Sequence, residues 1–430
     1  MISTPLQPWI ETKIEHRDLE VYQLRKLNET LRLVKDKSRF YRRISIDLPS
    51  DLGHLSELTR WPFTTADDVR ADPFGLVCVS QDDIQRVVTL DDVNFPLTTL
   101  TTSGTTGQPK RLYFTRDDQE LTIDFFHIGM STFTAPGDRV LILLPGETPG
   151  SVGDLLATGL QRLGAIPIKH GPVRDAAATL EVMRHEQINV VVGVPTHVLA
   201  LARSATSPAL KLKSVLLSTD HVPNAIKGAI ETAFDGTVYN HYGMTEMGLG
   251  GGVDCEARRG YHLREADMLF EIIDPASGER IPDGEYGEVV FTTLTRRGMP
   301  LIRYRTGDVS RFLTEPCPCG TRLKTLERIT HRLAGRVVIG GHTLTMADLD
   351  EALFAIDGVL NFTATLLQID HRDQLHIEVK AQADRDVTAL IPIALMPFST
   401  THGFKVSVSQ VQNIPASMAK RTIFDRRQPA

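Results

Sequence analysis

Short apolar runs separated by longer segments dominate the middle of the chain. The apolar runs lie at residues 139–145, 165–168, 189–194, 214–218 and 237–240. The segments between them are long enough for helices, and over 117–133 the apolar residues recur at intervals of three and four. Apolar strands that alternate with helices are typical of a largely parallel sheet covered on both faces. Such a sheet places ligands at the carboxyl ends of its strands.

The sequence on either side of this pattern predicts other kinds of element. Residues 1 to about 75 are charged and predicted to be helical, whereas 260–330 alternate polar and apolar residues between tight turns, which predicts antiparallel strands. Beyond residue 333 the predicted elements are a helix at 346–354, a strand pair at 362–368 and 374–381, and a final strand near 405–410.

We therefore predict an α/β protein with two domains. The large N-terminal domain covers 1–332, with mostly parallel sheets covered by helices, and includes an antiparallel subdomain at about 255–330. A small α+β domain at 333–430 follows on a hinge.

The composition and charge of the chain exclude some classes of binding partner. The 430 residues are 41% hydrophobic and 23% charged, which is typical of a globular protein with a large core. Lys and Arg number 47 against 53 Asp and Glu, so the net charge of −6 gives no basic field for nucleic acid or an anionic membrane. There is no secretory pattern at the N-terminus and no apolar run near the roughly 18 residues of a membrane span. We predict a cytoplasmic protein.

A run of hydroxyl and glycine residues at 101–110 ends in Lys110. Gly104 and Gly107 let the backbone turn its N–H groups toward a ligand, while the hydroxyls and the lysine add further donors. The run fits a triphosphate-binding loop, although it has neither the P-loop nor the dinucleotide-binding spacing of glycines. A solvated loop of the same composition is the alternative, and this run alone leaves it open.

Two later stretches carry further candidate residues. Residues 240–246 follow the last apolar strand, where Tyr242 could lie flat on a purine and Glu246 could hold Mg²⁺ on a triphosphate. Residues 303–308 end in Asp308, whose two carboxylate oxygens suit the two hydroxyls of a ribose. An ordinary turn residue is the alternative for Asp308.

Four cysteines are too few for a disulfide framework in a chain of this length. Cys78 stands alone, whereas Cys255, His262, Cys317 and Cys319 together offer the three thiolates and one imidazole of a tetrahedral zinc site. Their spacing is unlike the common C-x₂-C pattern, so a small buried Cys255 and a surface His262 stay the alternative.

The three stretches, in this order, resemble the adenylate-forming superfamily of acyl-CoA synthetases, and most of all its phenylacetate–CoA ligase branch. The resemblance extends over nearly the whole chain. It is carried by residues 61–65, 101–110, 242–246, 270–274, 287–295 and 300–308.

The resemblance implies a two-step reaction in which a carboxylic acid and ATP form an acyl-adenylate and pyrophosphate, and CoA then displaces AMP. The implied nucleotide-binding residues are Ser103, Gly104, Thr105, Thr106, Gly107, Tyr242, Gly243, Asp308 and Arg336. The implied catalytic residues are Lys110, Thr245, Glu246 and Lys420. In this scheme Glu246 holds Mg²⁺, Thr245 contacts phosphate and Arg336 assists at the ribose or the hinge. The resemblance also implies that the domain 333–430 is a mobile lid. The same branch is similar in carrying a Cys/His cluster, so we expect structural Zn²⁺ in the antiparallel subdomain at about 255–330.

The chain departs from the family pattern in two places. After Arg336 there is no acidic hinge pair, and the family's C-terminal Gly-Lys aligns with Ser417 and Met418. Lys420, two residues further on, either replaces the family's lysine or is only solvated.

Three functions remain open from the sequence. The first is a ligase that joins a small, aromatic carboxylic acid to CoA. The second is an adenylating enzyme that passes the acyl group to a carrier protein or an amine, and the third is a nucleotide-binding protein without turnover. The expected partners are the acid and CoA, with no nucleic acid and no membrane, and a homodimer is left open.

Overall fold

The computed structural model describes residues 6, 8–11, 18–90, 110–205, 210–329, 331–414 and 421–427. The chain divides into two compact units, each assembled from three separate stretches. The first comprises Met1–Gly137, Pro145–Lys169 and Asn240–Arg328, and the second Asp138–Leu144, His170–Tyr239 and Ile329–Ala430. The domain limits at 1–332 and 333–430 stay a prediction, because they concern movement of the C-terminal region.

Polar side chains cap the starts of several helices of the first unit. The α-helices described there are Pro8–Glu11, Leu19–Lys37, Arg39–Ile44, Ala66–Ala71, Arg116–Met130 and Val152–Leu163. At the start of Arg116–Met130, the N–H of Asp118 donates to Thr115 Oγ1 at 3.1 Å and the N–H of Thr115 donates to the Asp118 carboxylate at 3.0 Å. This reciprocal capping box satisfies two N–H groups that the helix itself leaves without partners. On the buried face of this helix, Phe125 stacks on Trp9 with ring centroids 5.2 Å apart.

Antiparallel strands form much of the rest of the first unit. The strands described there are Arg86–Leu90, Lys110–Phe114, Ile166–Lys169, Gly252–Asp254, Tyr261–Leu263, Met268–Ile273, Gly287–Thr293, Tyr304–Ser310 and Thr325–Leu326. The strand Gly287–Thr293 pairs with Met268–Ile273 on one side and Tyr304–Ser310 on the other. Phe270 and Phe291 face each other across the first of these pairs, and both are buried. The predicted antiparallel region is confirmed.

The second unit contains parallel strands with helices between them. Arg139–Ile142 pairs in parallel with Val190–Gly193, which pairs in parallel with Ser214–Leu217. The helices between them and after them are Ala176–His185, Pro195–Ser204 and Asn224–Phe234. Val190, Val191 and Val192 are at most 1% exposed, as expected for a strand covered on both faces. The predicted α/β class is confirmed.

The chain then passes from the second unit to the first within one strand. Thr237–Tyr242 begins in the second unit, and the division falls between Tyr239 and Asn240. Tyr242, at the carboxyl end of this strand, therefore belongs to the first unit.

The C-terminal part of the second unit has the predicted α+β character. Its strands are His331–Arg332, Val337–Ile339, His342–Leu344, Val359–Ile369, Arg372–Ala381, Lys405–Gln410 and Ile423–Asp425, and its helices are Met346–Phe354, Leu390–Ala394 and Met396–His402. The long hairpin turns at Asp370 and His371, where φ is +47° and +60°. Such positive φ values suit the tight turns that match the twist of paired strands. In the described part of the chain, no helix has both the length and the apolar character needed to cross a membrane.

Glu265 is a buried carboxyl group of the first unit. Its Oε2 accepts a hydrogen bond from the backbone N–H of Lys324 at 2.6 Å, and its backbone carbonyl accepts one from Gln23 Nε2 at 2.8 Å. Burial raises the pKa of Glu265 to about 7, and the Asp283 charge adds to this, whereas Lys324 opposes it. Between about pH 4.5 and pH 7 the folded protein therefore keeps a proton that the unfolded chain has released.

We expect Glu265 to make the free energy of unfolding fall as the pH rises through this window. The stabilisation from the bound proton is complete below pH 4.5 and is lost above the folded pKa, a change on the order of 3 kcal/mol. Glu265→Gln keeps the shape but does not titrate, so its stability should fall less between pH 5 and pH 8 than that of the parent. Urea unfolding at both pH values measures the difference, and the exposed Glu285→Gln is the control. Parallel pH profiles for Glu265→Gln and the parent would contradict the assignment.

Candidate active site

The centre of the candidate site is an ion pair between Lys110 and Glu246. Lys110 is the first residue of the strand Lys110–Phe114, and Glu246 lies in the short 3₁₀ turn Thr245–Met247. Lys110 Nζ donates to Glu246 Oε1 at 2.8 Å, and both residues are buried. The hydroxyl of Tyr304 donates to the same oxygen at 3.1 Å. Two of the predicted catalytic residues, 136 positions apart in the chain, are thus in direct contact.

These donors decide the charge of Glu246. Burial alone would raise the pKa of its carboxyl group, but the charge and hydrogen bond of Lys110, with a smaller contribution from Tyr304, outweigh burial and lower the pKa. Glu246 is therefore ionised at neutral pH, as a carboxylate ligand of a hard cation must be.

A tight turn presents Glu246. The strand ends at Tyr242, and the backbone then folds back so that the N–H of Gly251 donates to Tyr242 O at 2.9 Å and that of Leu249 donates to Met244 O at 3.0 Å. A Cβ at Gly243 would overlap the carbonyl oxygen of Leu249. Glycine at position 243 therefore allows the close backbone approach that forms this turn. Thr245 opens the 3₁₀ turn directly before Glu246.

A second contact joins Tyr242, at the end of the strand Thr237–Tyr242, to Asp308 in the strand Tyr304–Ser310. The hydroxyl of Tyr242 donates to Asp308 Oδ2 at 3.2 Å, and Asp308 is 1% exposed. The ring of Tyr242 stacks on Tyr261, with centroids 5.5 Å apart. Tyr304 and Asp308 both belong to the strand Tyr304–Ser310, so one strand contacts both Tyr242 and Glu246. Four of the predicted residues, Lys110, Tyr242, Glu246 and Asp308, are thereby brought into one region of the first unit.

One predicted residue belongs to the second unit. Arg336 is an exposed residue of the second unit, in the segment before the strand Val337–Ile339. The remaining predicted residues lie outside the described part of the chain: Ser103, Gly104, Thr105, Thr106, Gly107 and Lys420.

Sequence reasoning missed two residues that contact Glu246. One is Tyr304, which lies inside the stretch 303–308 that was singled out only for Asp308. The other is Arg296, whose Nη1 donates to the backbone carbonyl of Glu246 at 2.7 Å. Tyr304 lies four residues before Asp308, and residues four apart in a strand share a face. This spacing could have identified Tyr304 from the sequence. Nothing in the sequence around Arg296 indicated its contact.

Cys255, His262, Cys317 and Cys319 form a cluster whose candidate ligand atoms all lie within 4.8 Å of one another. Cys255 Sγ lies 3.5 Å from Cys317 Sγ, and Cys319 Sγ lies 3.4 Å from His262 Nε2. Ligands at zinc–sulfur and zinc–nitrogen distances in a tetrahedron are about 3.5–3.8 Å apart, so the donor set fits one zinc ion. The four cysteines of the chain form no disulfide.

The surroundings of the cluster also suit a metal. His262 Nδ1 lies 3.2 Å from Thr325 Oγ1, an outer hydrogen bond that leaves Nε2 directed toward Cys319. Burial lowers the pKa of His262 to about 4, so the imidazole is neutral, as a ligand must be. Burial raises the pKa of the Cys255 thiol, so a thiolate here requires a cation to stabilise it.

Comparisons with known proteins show which family the chain belongs to. A model of the AMP-binding enzyme family matches residues 48–294 of the chain. The chain belongs to the AMP-binding enzyme family. Among relatives of this AMP-binding enzyme, phenylacetate-coenzyme A ligase of Thermus thermophilus is 30% identical over 374 residues, which cover 82% of this chain and 79% of the relative. Phenylacetate-coenzyme A ligase of Escherichia coli is 26% identical over 396 residues, covering 88% and 85%.

Solved structures support the fold of the AMP-binding enzyme. 2-Hydroxyisobutyryl-CoA ligase, in a postadenylation state with an acyl-AMP, aligns with a TM-score of 0.76 at 23% identity over 94% of this chain and 89% of that one. The resemblance to adenylate-forming ligases that the sequence indicated is confirmed.

Proposed function

We propose that this AMP-binding enzyme joins a small aromatic carboxylic acid to CoA. The enzyme is an ATP-dependent acid–CoA ligase that forms an acyl-adenylate and releases AMP and pyrophosphate, in line with its family and its relatives. The observation that carries the site assignment is the buried Lys110–Glu246 pair, linked through one strand to Tyr242 and Asp308. The aromatic nature of the acid is supported by the phenylacetate-coenzyme A ligases and by the feruloyl-CoA synthase of Amycolatopsis among the relatives.

Each residue has a chemical task in this proposal. The Lys110 ammonium neutralises phosphate charge, Asp308 accepts hydrogen bonds from ribose hydroxyls, and Tyr242 offers its ring to the purine. The ionised carboxylate of Glu246 suits Mg²⁺, which supplies further neutralisation of the triphosphate when bound. Positioning and charge stabilisation account for most catalysis in such phosphoryl chemistry.

Lys110 and Glu246 need not stay paired with each other for this work. The phosphates of ATP offer Lys110 an anionic partner and a divalent cation offers Glu246 a cationic one, so both groups keep an opposite charge when the ligands bind. Exchange of partners between buried charges avoids leaving either of them uncompensated.

The finer assignments of the sequence remain part of the proposal. We assign Ser103, Gly104, Thr105, Thr106 and Gly107 to the β- and γ-phosphates, Thr245 to phosphate contact, Gly243 to the turn that supports Tyr242 and Glu246, and Arg336 to the ribose or the hinge. We assign Zn²⁺ to the cysteine and histidine cluster, where it braces the antiparallel region. The cytoplasmic location, the mobile domain 333–430 and a homodimer stay predictions.

A screen of carboxylic acids tests the proposed function. Aryl and arylacetic acids are incubated with ATP, Mg²⁺ and CoA, and AMP release is measured with and without CoA. We expect CoA-dependent AMP release with an aromatic acid. AMP release that requires an amine or a carrier protein would favour the second candidate, and ATP binding without pyrophosphate exchange for any acid would favour a protein without turnover.

The role of Lys420 can be tested by separating the two half-reactions. If Lys420 supplies the cation of the family's Gly-Lys, Lys420→Ala should slow adenylation by roughly 10²–10³-fold, because it removes a charge aimed at the reacting phosphate. Thiol transfer from a supplied acyl-adenylate should be nearly unchanged. Pyrophosphate exchange and thioester formation are measured separately, with the exposed Lys405→Ala as control. Equal adenylation rates in Lys420→Ala and the parent would remove Lys420 from the mechanism.

A further inference from the structure

We propose that Arg296 is a positioning residue that fixes the backbones of Lys110 and Glu246 relative to each other. The inference rests on the proposed adenylation, because it concerns the ion pair assigned to ATP and Mg²⁺. Arg296 itself does not touch the reacting groups in this proposal. It acts through the two elements that carry them.

One guanidinium group reaches both elements. Arg296 Nη1 donates to the carbonyl oxygen of Glu246 at 2.7 Å, and Nη2 donates to the carbonyl oxygen of Tyr113 at 3.3 Å. Tyr113 belongs to the strand Lys110–Phe114, which begins with Lys110. The planar fork of an arginine holds its donors in a fixed geometry, so the two hydrogen bonds set the separation of strand and turn.

The environment of Arg296 is unusual for a buried arginine. The side chain is 6% exposed and lies over the ring of Phe114, 4.4 Å from its centroid. Two other buried arginines of the first unit pair with carboxylates, Arg264 with Asp267 at 2.6 Å and Arg303 with Glu271 at 3.1 Å. Among the described residues Arg296 has no carboxylate within ion-pair distance, and its Nε has no hydrogen-bond partner.

Burying the Arg296 charge in this way lowers the stability of the fold. Burial lowers the pKa of Arg296 and outweighs the Asp118 and Glu246 carboxylates, which attract the guanidinium from beyond ion-pair distance. An apolar side chain of similar volume would avoid this cost of burying a charge. Both terminal nitrogens of Arg296 are instead used on the carbonyls of the strand and turn that carry the ion pair. We therefore attribute these contacts to holding the strand and the turn in place rather than to stabilising the fold.

Arg296 is itself held in place by its neighbours. The Asp118 carboxylate accepts hydrogen bonds from the backbone N–H groups of Arg297 at 2.9 Å and Gly298 at 3.0 Å. The same carboxylate belongs to the capping box at the start of the helix Arg116–Met130. The backbone that carries Arg296 is thus fixed to a helix end directly after the strand of Lys110, so the guanidinium has a rigid base.

The test compares Arg296→Lys and Arg296→Met with the adjacent control Arg297→Met. Lysine keeps the charge but cannot reach two carbonyls as a planar fork, and methionine keeps only the apolar stem. In pyrophosphate exchange we expect kcat to fall about tenfold for Arg296→Lys and about 100-fold for Arg296→Met, since a small displacement of catalytic groups has effects of this size. The KM for the acid should be unchanged. Arg297, which is half exposed, should be replaceable without effect.

A double variant separates positioning from a general structural role. If Arg296 acts through the ion pair, adding Arg296→Lys to Lys110→Met should slow exchange no further, because the geometry it maintains has already lost its function. Multiplying losses in the double variant would overturn the proposal, and so would parent-like exchange by Arg296→Lys.

ATP binding gives a readout that does not depend on turnover. By calorimetry with MgATP we expect the Kd of Arg296→Lys to be about tenfold weaker than that of the parent, because Lys110 is displaced from the phosphates. If the parent binds ATP but none of the acids supports pyrophosphate exchange, the proposed function fails. The ATP-binding measurement then still decides the role of Arg296. An unchanged Kd in Arg296→Lys would overturn the role.

Discussion

Replacing Glu246 by glutamine is expected to abolish acyl-adenylate formation while the protein still folds. The amide has the same shape as the carboxylate but lacks the charge needed beside Lys110 and for a divalent cation. Loss of one such electrostatic group lowers rates by roughly 10²–10³-fold, and loss of a metal ligand charge adds to this. Pyrophosphate exchange measures the effect, and exchange at the parent rate would remove Glu246 from the mechanism.

A matched control is available for Glu246→Gln. Glu271 is another buried carboxylate of the first unit, and it pairs with Arg303 at 3.1 Å. Glu271→Gln also breaks a buried ion pair, so both variants should lose stability, since removing one partner leaves the other charge uncompensated. Only Glu246→Gln should lose the exchange reaction in the protein that remains folded at the assay temperature. Equal loss of exchange in both variants would attribute the effect to instability.

Removal of metal from the cluster of Cys255, His262, Cys317 and Cys319 is expected to lower the melting temperature by roughly 10 °C. Metal that binds the folded state contributes its binding free energy to folding, and losing several kcal/mol in a large chain shifts the melting temperature by about this amount. Protein prepared without chelator should contain about one zinc ion per chain. Elemental analysis and thermal melts with and without a chelator measure both quantities.

Cys78 provides the control for the metal prediction. It is buried like Cys255 and Cys317 but does not belong to the cluster. Cys317→Ser should reduce both zinc content and melting temperature, whereas Cys78→Ser should leave the zinc content unchanged. Purified parent protein without metal would contradict the assignment of the cluster.

Much of the fold follows from local patterns that the sequence displays directly. The predicted helix at 346–354 has the observed bounds, because a threonine followed three residues later by an aspartate caps its start. The predicted strand at 139–145 is observed as Arg139–Ile142, which is shorter because Pro145 and Gly146 lead the chain into a turn. Periodicity and caps depend on neighbours in the chain, so one sequence is enough to detect them.

The contacts within the candidate site could not be predicted from residue types. Lys110 and Glu246 could be chosen for their chemistry, but their pairing joins residues 136 positions apart. Arg296 could not be chosen at all, because its partners are backbone carbonyls, and every residue has one. Side-chain chemistry is visible in a sequence, whereas a contact to the backbone becomes visible only when the fold brings the two segments together.

The interleaving of the two units has a consequence for synthesis of the protein on the ribosome. The first unit needs residues up to Arg328 before it is complete, and the second needs strands as late as Ile423–Asp425, although its first segment begins at Asp138. The first unit therefore cannot finish folding until two of the three segments of the second unit have been translated, and the second unit cannot finish until all of the first has been. Consecutive domains of a multidomain chain, by contrast, fold one after the other. Nascent chains that stop between residues 138 and 328 should expose unpaired strands and depend on chaperones.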